Sequence, residues 1–251
     1  MKQLLSLFLA LCMVVSAFAL TACEPDEKEI SEEEKQQGEK TPDEVDPTPD
    51  VDLSGDDCID EPTSPSDQVD YKPVIYLYPT EETVCSVTME LNGKFTCTYP
   101  DYGTAGWQNF VASPDGTLTF PDGKEYYCLY WEGVTTKELD LTRGACVRGE
   151  DAATYLEWAL AEMGLTAREA NEFIIYWLPL LQENEYNLIS FQGKPYTDAA
   201  KLNVTPTPDS VLRVYMVAKH LTAPVEVEPQ SFEPFTREGF TVVEWGGSII
   251  E

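Results

Sequence analysis

A chain of 251 residues with 45 acidic against 16 basic side chains carries a net charge of −29. That balance excludes the basic surface that phosphate backbones and anionic lipid headgroups require, so no nucleic-acid partner is expected. With His220 as its one histidine, the chain cannot build a multi-histidine metal site, and any Ser-His or Cys-His pair would have to use that residue.

Residues 1–22 begin with Lys2, continue as an apolar run and end in Leu20-Thr-Ala just before Cys23. A short positive end, an apolar segment and small residues before a cysteine form a secretory signal. The Leu-Thr-Ala-Cys tetrad resembles the lipobox of bacterial lipoproteins. That resemblance implies acylation of Cys23, cleavage just before it, and anchorage in the lipid bilayer at the extracytoplasmic face of a bacterial cell membrane. The apolar run is shorter than the roughly 20 residues a spanning helix needs, and two or three acyl chains anchor stably where one is marginal.

Residues 24–70 are dominated by Glu, Asp, Pro, Ser and Thr. Such a stretch cannot bury enough apolar surface to offset chain entropy, and its self-repulsion favours extension. It reads as a disordered acidic tether. Within it, Asp50, Asp52, Ser54, Asp56 and Glu61 fall at the spacing of a calcium loop, with Gly55 for the turn. Asp57 stands where an apolar residue would pack, and prolines on both sides replace the flanking helices. The spacing is therefore read as a coincidence of an Asp-rich linker, and no metal or other cofactor is expected.

The folded domain is expected over 71–251. Residues 74–78 are a run of β-branched, aromatic and aliphatic side chains between Pro73 and Pro79, a short buried strand with prolines at its ends. Residues 84–91 and 95–99 flank Asn92-Gly93 and predict a hairpin. A loop over 92–94 would pair Leu91 with Phe95, Met89 with Cys97 and Val87 with Tyr99, all on one face. Strands at 107–112, 117–120 and 126–131, joined by Pro-Asp-Gly turns, predict an antiparallel meander.

The period then changes to that of helices. Residues 151–164 form one helix stopped by Gly164, and Thr166-Ala-Arg-Glu169 is a capping box for a second. Ala170, Phe173, Ile174, Trp177, Leu178 and Leu181 make its apolar stripe, which Pro179 should end or kink. Strands return at 186–192, 211–218, 225–227 and 240–245. Strands, two central helices and strands again describe an α+β class with a mostly antiparallel sheet packed on one helical layer.

Four blocks in order, KPVIYLYP at 72–79, NEFIIYWLP at 171–179, YNLI at 186–189 and GFTVVEWGG at 239–247, resemble a family of bacterial secreted or lipid-anchored proteins with no assigned activity. The resemblance implies that the domain is one unit and supplies no catalytic residue.

Of seven cysteines, Cys12 belongs to the signal and Cys23 to the anchor, which leaves Cys58, Cys85, Cys97, Cys128 and Cys146. Five cannot all pair within one chain. Two functions remain open. The first is a displayed binding module for an envelope glycan, peptide or protein, with contacts carried by whichever of Trp107, Trp131 and Trp245 are exposed. The second is a carbohydrate-active hydrolase using two of Glu132, Glu172 and Glu244 as acid and nucleophile. The acidic surface should favour cationic or neutral partners and disfavour anionic polymers.

Overall fold

The computed structural model describes residues 65–250. Cys23, the tether and the residues at calcium-loop spacing lie outside the described residues, as does Cys58. Strands β1 (Ser66–Tyr78), β2 (Thr83–Leu91), β3 (Gly93–Tyr99), β4 (Trp107–Ala112), β5 (Leu118–Thr119), β6 (Glu125–Tyr126), β7 (Leu129–Lys137) and β8 (Arg143–Arg148) come first. Helices α1 (Ala152–Met163) and α2 (Ala167–Leu181) follow, then β9 (Tyr186–Phe191), α3 (Lys194–Ala199), β10 (Ala200–Thr205), β11 (Ser210–Leu221), β12 (Glu228–Pro229) and β13 (Thr241–Ile250).

An eight-stranded sheet has the order β12-β8-β9-β11-β13-β1-β7-β3, and a five-stranded sheet the order β10-β2-β4-β5-β6. The pairing is mostly antiparallel, with β11 parallel to β13 and β12 parallel to β8. The chain is mostly strand with a small helical part, in keeping with an α+β class.

Three layers result. On one face of the eight-stranded sheet, Val74, Met216, Val243 and Trp245 pack with Leu156, Leu160, Phe173 and Trp177 of α1 and α2. On the other face, Ile75, Leu77, Trp131 and Val217 pack with Val87, Trp107 and Phe110 of the five-stranded sheet. Because β1 is covered on both faces, its sequence reads as a continuous apolar run instead of an alternation.

Both helices follow local rules. Gly164 caps α1 with φ 92, and Thr166 and Glu169 form the reciprocal capping box of α2. Pro179 does not end α2; the helix continues two residues past it to Leu181.

The strand pairing departs from the expected hairpin. Leu91 pairs with Ala200 and Phe95 with Gly133, so β2 and β3 lie in different sheets. Asn92 is the corner between them: its N–H donates to Ala199 O at 2.7 Å and its carbonyl accepts from Thr136 N at 2.8 Å. Gly93 serves close approach, since a Cβ there would stand 1.9 Å from Val134 O. The expected strand at 126–131 divides between β6 and β7, where the chain passes from one sheet to the other. At 225–227 there is no strand; the short β12 pairs with β8 just after it.

β1 begins at Ser66, ahead of the boundary expected at 71, and Pro73 lies within it. The strand tolerates the proline because its register shifts between Tyr71 and Val74 as a bulge. The extra residue also decides faces. Val74 points to the helices, while Asp70, four residues earlier, points between the sheets.

Candidate functional site

None of the three tryptophans offered as ligand contacts reaches solvent: Trp107 is 1%, Trp131 0% and Trp245 1% exposed. They are core, because each faces a layer that covers it. His220 is exposed near the end of β11.

The three glutamates do not share a cleft. Glu244 is sealed between the sheets, where it accepts from Arg213 Nε at 2.5 Å and Trp131 Nε1 at 3.1 Å. Glu132 and Glu172 lie on the side of the helices. Glu132 accepts from the backbone N–H of Lys72 at 3.2 Å. Glu172 accepts from Tyr76 OH at 2.6 Å and Arg168 Nε at 3.4 Å.

Open space gathers instead around tyrosines. α1 and α2 cover part of the eight-stranded sheet, and the β1–β7 margin beside α2 remains as the floor of a trough. Three cavities of 570, 460 and 340 Å³ meet there, and Tyr127 lines all of them. Tyr127 is 52% exposed. It stands at the corner between β6 and β7, where the passage between sheets turns its ring outward. Tyr76 and Tyr78, alternate residues of β1, share one face as the two-residue period requires, with parallel rings 6.3 Å apart. Tyr99, Tyr126 and Tyr130 add to the lining of the 460 Å³ cavity, and Tyr176 of α2 and the buried Trp245 to that of the 340 Å³ cavity.

Three cations stand on these rings. Arg237 lies 5.7 Å from the Tyr78 centroid and Arg168 5.9 Å from Tyr127. Lys72 lies 5.4 Å from Tyr130 and 5.9 Å from Tyr176. It occupies the β1 bulge with φ 58, although the residue before a proline normally adopts extended backbone.

Burial keeps the titratable groups around Tyr76 in their neutral forms. Burial, then the Glu172 hydrogen bond, hold the Tyr76 phenol well above the usual tyrosine range. Burial pushes the Cys128 thiol up to about 11, with Glu172 adding to the effect, so it remains protonated at neutral pH. Cys85, Cys97, Cys128 and Cys146 are all free, and no group of three metal-ligating side chains occurs among the described residues.

Sequence reasoning passed over Lys72, Tyr127 and Tyr130. The available signals were a lysine ahead of the proline in KPVIYLYP and the Tyr126-Tyr127 pair interrupting a strand.

The chain is 43% identical over 65 residues to an uncharacterised protein in the bglA 3′ region of Butyrivibrio fibrisolvens, a match covering 26% of this chain and 67% of the relative. The chain belongs to that protein's family. No family model and no solved structure matches it. The relative's description names neither ligand nor activity, so the trough stands on its own geometry.

Proposed function

We propose that this α+β domain is the binding module of a lipid-anchored extracytoplasmic protein, held out on an acidic tether from acylated Cys23. The trough around Tyr127 is its ligand site, and its ligand is a ring-bearing envelope compound such as a glycan. The observation that carries this reading is the meeting of three cavities on one half-exposed tyrosine, with further tyrosines as floor and wall. Clefts of a few hundred cubic ångströms with aromatic walls are the usual form of small-ligand sites, and large aromatics dominate binding surfaces. The hydrolase alternative has no comparable support, since Glu244 is closed between the sheets and Glu132 is engaged with backbone.

The test screens the detergent-purified full-length chain against envelope glycans, peptides and glycoside substrates. Saturable binding without turnover, lost in Tyr127→Ala, is expected. Turnover abolished by Glu172→Gln with the fold intact would favour the hydrolase. For the anchor, Cys23→Ala should release the protein from the detergent-requiring membrane fraction; continued retention there would refute acylation.

A further inference from the structure

The cations of the trough are held differently. Arg168 pairs with Glu172 and Arg237 with Glu169. Lys72 has only the faces of Tyr130 and Tyr176, and among the described residues no carboxylate forms an ion pair with its ammonium. The nearby Glu132 is spent on the Lys72 backbone N–H. Lys219 is also partly buried and, among the described residues, without an ion pair, so what sets Lys72 apart is that it lines two of the cavities.

The backbone at Lys72 is also unusual. A non-glycine residue at φ 58 is strained and persists where the surroundings impose it, often at ligand sites. Bulges likewise re-aim side chains beside sites. Here the bulge sets Lys72 at the mouth shared by the 460 and 340 Å³ cavities.

We infer that the ligand of the trough is an acidic sugar carrying a single ring carboxylate, with Lys72 receiving the carboxylate and Tyr127 and Tyr130 holding the ring. This rests on the trough being the ligand site. One point charge suits one negative charge. A dianionic phosphate or a polyanion would meet Glu132 and Glu172 close by, and the acidic surface beyond. A monoanion meets less of the repulsion from Glu132 and Glu172 than a dianion does, and for either the acidic surface beyond about 10 Å is screened at 0.1 M salt. Glu172 on the wall of the 340 Å³ cavity offers acceptor oxygens to ring hydroxyls, which a sugar has and a plain aromatic acid lacks.

The test is calorimetry on the detergent-purified full-length chain. The probes are glucuronate- and galacturonate-terminated disaccharides, each beside its neutral parent, with inorganic phosphate as a separate arm. At least one acidic disaccharide should bind about tenfold tighter than its parent, the scale of a charge-assisted hydrogen bond. The gap should vanish in Lys72→Met and survive in Lys72→Arg. A neutral parent binding as tightly as its acidic partner overturns the inference and leaves the trough standing, a comparison that needs no variant to fold. A gap that persists in folded Lys72→Met overturns it as well. Phosphate binding as tightly as the acidic disaccharide would mark an inorganic-anion site and overturn the sugar assignment. If no saccharide of either kind binds, the trough reading falls with it.

Discussion

The two faces of the eight-stranded sheet use the same residue types to opposite ends. Between the sheets, Lys137 is sealed. Its ammonium donates to Asp70 Oδ1 at 2.6 Å and Thr135 Oγ1 at 2.6 Å, while Tyr215 OH donates to the same Asp70 oxygen at 2.6 Å. Burial pulls the Lys137 ammonium below the ordinary lysine range despite Asp70. Glu244, Arg213 and Trp131 form a second paired set on that face, in which Arg213 Nη2 is buried without a hydrogen-bond partner. Beside the helices, Lys72, Glu172, Tyr127 and Tyr130 stay partly open while Tyr76 is buried, and Lys72 lacks a counter-charge. A buried charge held against its counter-charge serves the fold; a half-buried charge without one is open to a ligand.

The largest test of this contrast is Asp70→Ala. It leaves Lys137 charged, buried and unpaired, and should cost about 3–5 kcal/mol in urea denaturation. A chain beginning at Tyr71 loses the same carboxylate together with the residues over 66–70 that pair with β7, and should be destabilised at least as much. A loss below about 1 kcal/mol would mean Lys137 escapes to water, and the two faces would not differ as described.

Alkaline pH should weaken both faces. Burial raises the Tyr196 and Tyr215 phenols between the sheets and the Tyr76 phenol in the trough, and takes the Cys128 thiol from 9.0 to about 11. Groups whose pKa is raised on folding contribute stability that is fully present below the unfolded value. That stability declines as pH climbs toward the folded value. The melting temperature should therefore fall between pH 9 and 11, by at least about 3 °C. A flat profile across that window would show these groups to be solvated.

Tyr76→Phe removes the hydrogen bond to Glu172 at 2.6 Å and should cost about 1 kcal/mol, less than any break in the sealed network. A cost equal to that of Asp70→Ala would place Tyr76 in the structural class.

The smallest effect is expected at Lys72. Lys72→Met keeps the stem and removes a charge that lacks a carboxylate, so stability should stay within about 0.5 kcal/mol of the parent in the same denaturation assay. A loss several times larger would make Lys72 a structural lysine like Lys137 and erase the contrast.

Much of the helical part was legible because its signals are local. Thr166, Glu169 and Gly164 satisfy helix ends within a few residues of themselves, whatever packs around them. The site was less legible. The tryptophans singled out as contacts proved to be core, while Tyr127 drew no attention, since residue type does not tell which aromatic faces a layer and which faces an opening.

By itself the sequence determined the limits of α1 and the start of α2, the position of most strands and the strong acidity, all properties of neighbouring residues or of simple composition, while α3 went unforeseen. Tertiary structure decided the rest. A two-residue period says that a segment is a strand but not which strand it joins, so β2 and β3 parted into separate sheets across Asn92. A single extra residue in β1 then turned Asp70 to one face and Val74 to the other. Which lysine is sealed and which stays partly open follows from that bulge and from how far the helices cover the sheet. Both depend on contacts between segments far apart in the chain, which no local pattern encodes.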